Sequence, residues 1–126
     1  MYRNLLEVFI MELVALLSSG KGTWGQVSGL IKKGEWEKII ILGDNFAEKF
    51  SSDKKFEFIK IDTNKKLVEL KKEILEKIKG KIQGLDVALS IASGSGKEHM
   101  ALISALLSIP TGIHFVALTQ DGIVYL

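Results

Sequence analysis

With 126 residues the chain has the length of one domain, long enough to bury about two thirds of its unfolded surface. An apolar fraction of 47% with 25% charged residues excludes a disordered class, and no cysteine excludes disulfides and thiolate metal sites. Seventeen basic against fifteen acidic residues leaves a net charge of only +2, which gives no support for a dedicated nucleic-acid surface.

Residues 1–10 (MYRNLLEVFI) precede a second methionine, Met11. They read as a leader segment, part of a longer first strand, or an artefact of start-site choice, and the sequence does not separate these. Arg3, Glu7 and Glu12 interrupt the apolar N-terminus, so neither a membrane span nor a secretory signal is expected there, and a cytoplasmic protein is the default. Residues 11–126 read as a single domain.

Leu13–Leu17 is an apolar run ending in Ser18-Ser19-Gly20-Lys21-Gly22, the pattern of a buried strand followed by a glycine-rich turn. Thr23 is placed to cap a helix through about Lys33, with Trp24, Val27, Leu30 and Ile31 on its apolar side and Gly34 ending it. Ile39–Leu42 is a second buried strand, closed by Gly43-Asp44-Asn45. Phe46–Phe50 suits a short helical turn, and Phe56–Ile61 an outer strand. Asp62–Asn64 caps a predicted helix from about Lys65 to Gln83, where Leu67, Leu70, Ile74, Ile78 and Ile82 recur at helical spacing. Lysines fill its other face with Glu69, Glu73 and Glu76 at pairing distances, which marks a solvated face rather than a nucleic-acid patch.

Leu85–Ala92 is an almost continuous apolar run, the signature of a strand buried on both faces. It meets Ser93-Gly94-Ser95-Gly96-Lys97, and Ser95 with Glu98 has the form of a capping box opening a helix that runs to about Ile109. That helix (MALISALLSI from Met100) is apolar nearly all round, so one apolar stripe is left over for a second contact, most simply a two-fold dimer or cover by residues 1–10. Ile113–Leu118 and Ile123–Leu126 flank Gln120-Asp121-Gly122, an Asp-Gly hairpin signal.

Strands alternating with helices imply right-handed parallel crossovers, hence an α/β, Rossmann-like three-layer sandwich. Its sheet is mostly parallel in the order 3-2-1-4-5, with an antiparallel hairpin strand at the C-terminus. Ligands of such sheets lie beyond the carboxyl ends of the strands where the winding reverses, here between the first and fourth strands. Both of those strands exit into Ser/Gly/Lys turns, Ser18–Gly22 and Ser93–Lys97. Backbone N–H groups, a positive helix end and Lys97 converge there, which favours a phosphate or a carboxylate.

Standard motifs fit poorly. A P-loop ending at Lys97 needs Gly at 91 and Ser or Thr at 98, which are Ile91 and Glu98; one ending at Lys21 meets Leu16 and Gly22. Gly20–Gly25 is formally G-x-G-x-x-G, but no acid ends the second strand before Asp44. No serine has an evident histidine and acid partner. Singly, these serines fit turn and cap chemistry; as two turns on one crevice they point to function. His99 suits a ligand contact or packing, His114 a structural place, and Trp24 packing on the sheet or stacking on a base.

On these residues the chain, from about Met11 to Leu126, resembles the CRISPR-associated Rossmann-fold (CARF) domains. The resemblance rests on the hydroxyl- and glycine-rich turn after the first strand, on LSIASGSGK leading into an apolar helix, and on the terminal hairpin. Where that family usually has Thr-Gly-Gly-Thr-Lys, this chain has Ser93-Gly94-Ser95-Gly96-Lys97, with Met100 one residue later than the family's methionine. The resemblance implies a homodimer that binds cyclic oligoadenylate across its axis, with no cofactor, no metal, no membrane and no duplex nucleic acid. Ser18, Ser19, Gly20, Lys21, Thr23 and Trp24 from the first turn and Ser93, Gly94, Ser95, Gly96, Lys97 and Met100 from the second would line the ligand. Lys97 would face phosphates, Ser18 and Ser19 ribose or phosphate, and Gly94 and Gly96 would admit close backbone approach. Some family members are metal-independent ring nucleases, and then Lys97, Ser18 and Ser19 would carry the reaction. The alternatives are a small enzyme or binding protein using another nucleotide or dinucleotide, and an assembly subunit without ligand.

Overall fold

The computed structural model describes residues 11–18 and 23–126. The segment 1–10, left open above, lies outside the described residues. The elements run β1 (Met11–Leu17), α1 (Trp24–Lys33), β2 (Trp36–Gly43), a 3₁₀ turn (Phe46–Lys49), β3 (Glu57–Lys60), α2 (Leu67–Ile78), β4 (Asp86–Ser90), α3 (Gly96–Ser108), β5 (Gly112–Thr119) and β6 (Gly122–Tyr125). One six-stranded sheet has the order β3-β2-β1-β4-β5-β6, parallel throughout except for the β5–β6 hairpin. This is the Rossmann-like α/β sandwich read from the alternation of elements.

β1 is central, and all seven of its residues are buried. Alternate side chains leave a strand on opposite faces, so the apolar runs divide into two cores. Val14, Leu16, Ile40, Leu42, Val87 and Leu89 pack under α2 and α3. Leu13, Ala15, Leu17, Ile39, Ile41 and Ala88 pack under α1 and the 3₁₀ turn. Among the described residues no helix is long and apolar enough to cross a membrane.

Several boundaries differ from the sequence reading for physical reasons. β2 starts at Trp36 rather than Ile39, and β4 is Asp86–Ser90 rather than Leu85–Ala92: Leu85 is 87% exposed and Ala92 is exposed, so both ends of that apolar run lie outside the buried strand. β1 starts at Met11 rather than Leu13, and so takes in Glu12, which is only 3% exposed. Its carboxylate accepts hydrogen bonds from the backbone N–H groups of Gln83 and Gly84, both 2.9 Å, which makes the buried charge tolerable. α2 is shorter than Lys65–Gln83. Asp62–Asn64 is a separate turn ahead of the helix, closed by Asn64 N–H to Asp62 Oδ1, and Lys66 stands at the cap. At the other end Gly80, with φ of +83°, turns the chain out of the helix, although Ile82 still packs on the core. Thr23 holds the position before α1, as expected, but its hydroxyl makes no capping bond there.

Candidate functional site

The site is built at the exits of β1 and β4, the neighbouring strands at which the winding reverses. Ala15 of β1 lies level with Ser90 of β4. Three residues further on each chain, Ser18 N–H donates to Ser93 Oγ at 2.8 Å, joining the two exits. The Ser18 carbonyl accepts from the Trp24 indole N–H at 2.8 Å, and Ser93 O lies 2.8 Å from His99 Nε2. Ser18 and Ser93 are therefore each held by a side chain from the first turn of the following helix, α1 or α3.

α3 opens as the Ser95–Glu98 pair predicted. Ser95 Oγ accepts from Glu98 N–H and Glu98 Oε1 accepts from Ser95 N–H, a capping box that fixes the loop onto the helix. The next two N–H groups, of Gly96 and Lys97, receive no acceptor from the described residues. Gly94 has φ of +108°, and a Cβ there would stand 2.5 Å from Leu16 Cδ2, so the fold itself demands glycine. Gly96 is the opposite case. A Cβ on it would meet nothing within 4 Å, so there is open space beside the helix start.

Lys97 is anchored. Its Nζ donates to the carbonyls of Thr63 and Lys65, each at 2.8 Å, tying the start of α3 to the turn between β3 and α2. An ammonium has three N–H donors, so one remains for a ligand. Trp24 packs rather than stacks in the open: its ring meets Phe46 and Phe50 edge-on at 5.7 and 5.8 Å. Met100 is brought elsewhere. It is 60% exposed on the outer side of α3 and lines a 310 Å³ groove with Leu67, Val68, Lys71, Ala101 and Ser104. His114 is far from the turns, beside Asp86 at the other end of the sheet. Ser19, Gly20 and Lys21, part of the expected set, lie outside the described residues.

Ser90, the last residue of β4, was not singled out by the sequence reading. It is fully buried, and its Oγ has no hydrogen-bond partner among the described residues. The signal was a hydroxyl as the last strand residue before a glycine loop, hidden by its place in an apolar run.

A cleft of about 580 Å³ lies beyond the ends of β2 and β3, lined by Asp44, Asn45, Asp62, Thr63, Glu73 and Lys77 among others. Its charges are matched internally. Lys77 and Lys65 both reach Glu73, at 2.7 and 3.1 Å, and Lys60 lies 3.5 Å from Glu48. Burial would push the Glu73 carboxyl up, but the hydrogen bonds from Lys77, Lys65 and Asp62 N–H together hold it below its ordinary value. No lysine is left over there to attract an anion, so size alone does not make this cleft the site. No group of three or more acids or histidines among the described residues is arranged to hold a metal ion.

No protein-family model and no curated protein matches the chain. The case for a site therefore stands on the residues themselves: two N–H groups at a helix start without acceptors among the described residues, a lysine with a donor to spare, and Ser18 joined to Ser93 at the switch point.

Proposed function

We propose that this chain is a binding domain for a nucleotide second messenger, a cyclic oligoadenylate, working as a homodimer of the CARF type. The observation that carries the reading is the start of α3: beside its capping box the Gly96 and Lys97 N–H groups have no acceptor among the described residues, and a Cβ on Gly96 would meet only open space. A helix start with free N–H groups and a positive dipole end favours an anionic oxygen. A phosphate there would take those two donors and the third N–H of Lys97, with the Ser18 hydroxyl at its flank.

The homodimer rests on α3. Met100, Ser104 and Leu107 follow one another at helical spacing, and Met100 and Leu107 are 60% and 59% exposed. Val68 of α2, 62% exposed, extends this apolar surface. The row on α3 carries no charge, so a two-fold axis across it sets no like charges against each other. Such an axis would bring two α3 starts toward one cyclic ligand.

Ring-nuclease activity follows the same geometry if the ligand is cleaved. A ribose 2′-OH of the ligand attacks its own phosphorus, the 5′-oxygen leaves, and a 2′,3′-cyclic phosphate and a 5′-hydroxyl result. The protein's part is to hold that alignment and to donate hydrogen bonds to the phosphoryl oxygens, from Gly96 N–H, Lys97 N–H and Lys97 Nζ.

Calorimetric titration of cyclic tetra- and hexa-adenylate into the purified chain tests the proposal. One ring per dimer, weakened at least tenfold by Gly96→Ala, is the expected result. No binding of either ring overturns it.

A further inference from the structure

We infer that the Ser90 hydroxyl is a ligand-binding group at the floor of the crevice, unsatisfied without ligand and completed by an anionic phosphate oxygen. The inference rests on the anion-binding reading of the crevice given above.

A buried hydroxyl without a partner loses its hydrogen bonds to water and recovers none, which destabilises the folded chain. Nothing in the packing asks for a hydroxyl at this place. Ala15 lies beside Ser90 in the sheet and Ala88 lies two residues earlier on the same strand face, both fully buried, so alanine fits this layer. Ser93 supplies the contrast. Its Oγ is occupied by Ser18 N–H and holds the two exits together.

Ala15 and Ser90 form the last rung of the β1–β4 ladder, and the Ser18–Ser93 bond lies three residues further along both chains. Three residues of extended chain span about 10 Å, more than one oxygen can bridge. A phosphate that displaced Ser93 Oγ from Ser18 N–H would offer one oxygen to that N–H and a second toward the Ser90 hydroxyl. The step moves no covalent bond. It exchanges one neutral acceptor, Ser93 Oγ, for charged ones, and charge-assisted bonds are the stronger kind.

The consequence is a pair of effects with opposite sign, which a merely structural serine would not show. Thermal melting of the full chain without ligand is measured for wild type, Ser90→Ala and Ser93→Ala. Titrations with inorganic phosphate, cyclic tetra-adenylate and cyclic hexa-adenylate follow on the same proteins. Ser90→Ala is expected to melt about 3–6 °C higher than wild type and to bind its ligand at least tenfold more weakly. Ser93→Ala is expected to melt lower, because it frees Ser18 N–H.

A higher melting point with unchanged affinity overturns the inference, since the hydroxyl is then an unmet burial and nothing more. A lower melting point for Ser90→Ala also overturns it, because the hydroxyl then already has a partner, such as a buried water. If wild type binds phosphate but neither ring, the oligoadenylate reading falls and Ser90 is judged on phosphate alone. If wild type binds none of the three, both readings fall.

Discussion

Beyond β2 and β3, Glu73 takes two lysines, Lys60 reaches Glu48, and Asp44 and Asp62 turn back on the N–H groups of their own loops. Beyond β1 and β4, the helix start keeps two N–H groups without acceptors and the strand end keeps a hydroxyl without a partner, among the described residues. Both regions lie on the same edge of the same sheet. The first has a cleft of about 580 Å³ and a closed set of interactions; the second has donors left over. Affinity for an anion follows uncommitted donors rather than volume, because a ligand must otherwise break a bond for each one it makes.

Substitutions at the two glycines of the α3 loop give the largest expected effects and separate architecture from binding. Gly94→Ala is expected to destabilise the chain by about 2–4 kcal/mol, from a left-handed backbone and a Cβ pressed on Leu16. Urea unfolding measures it; a loss under about 0.5 kcal/mol would mean that the loop relaxes freely and is not the rigid wall described here. Gly96→Ala is expected to leave stability unchanged or raise it by up to about 1 kcal/mol, since alanine is the better helix former. Its cost falls on ligand affinity alone, which is where the two regions should differ most.

Lys97→Ala removes both a donor of the proposed phosphate site and the tie to Thr63 and Lys65. Ligand affinity should fall at least tenfold, and amide exchange should quicken across residues 62–65. Unchanged exchange there would break the link between the two halves of the sheet edge. Leu107→Glu places like charges across the proposed two-fold axis, so sedimentation should show monomers where the wild type is a dimer.

The smallest effect is expected on the saturated side. Glu73 is held below its ordinary value of 4.5, so it contributes stability above that pH and loses it as pH falls through the lowered value. Glu73→Gln should therefore be less stable than wild type at pH 7, by under about 1 kcal/mol. The gap should close as the medium is acidified below the ordinary value, and ligand affinity at pH 7 should not change. A change in affinity would mean that the β2–β3 end shares in binding.

The arrangement of the sheet was legible in the chain because buried strands leave unbroken apolar runs and because alternation with helices restricts the topology. The capping box was legible because it spans only four residues. Where contacts reach far along the chain, the residues alone were silent. Glu12 looks too polar for a central strand until the turn at Gln83 and Gly84, some seventy residues on, supplies its donors. Lys97 looks free until the carbonyls of Thr63 and Lys65 are seen beside it. α2 kept helical spacing past its real end, because Ile82 still serves the core after Gly80 has broken the helix. Ser90 was hidden for a different reason. An orphaned hydroxyl is defined by what does not surround it, and no local pattern records that.

The most direct test of the central claim follows backbone amides by NMR while cyclic tetra- and hexa-adenylate are added to the full chain. The account predicts that the Gly96, Lys97 and Ser18 amides shift strongly and together. Those of Asn45, Phe46 and Asn64, at the saturated end, should shift little. Shifts concentrated around the β2–β3 cleft, with Gly96 and Lys97 unmoved, would contradict it.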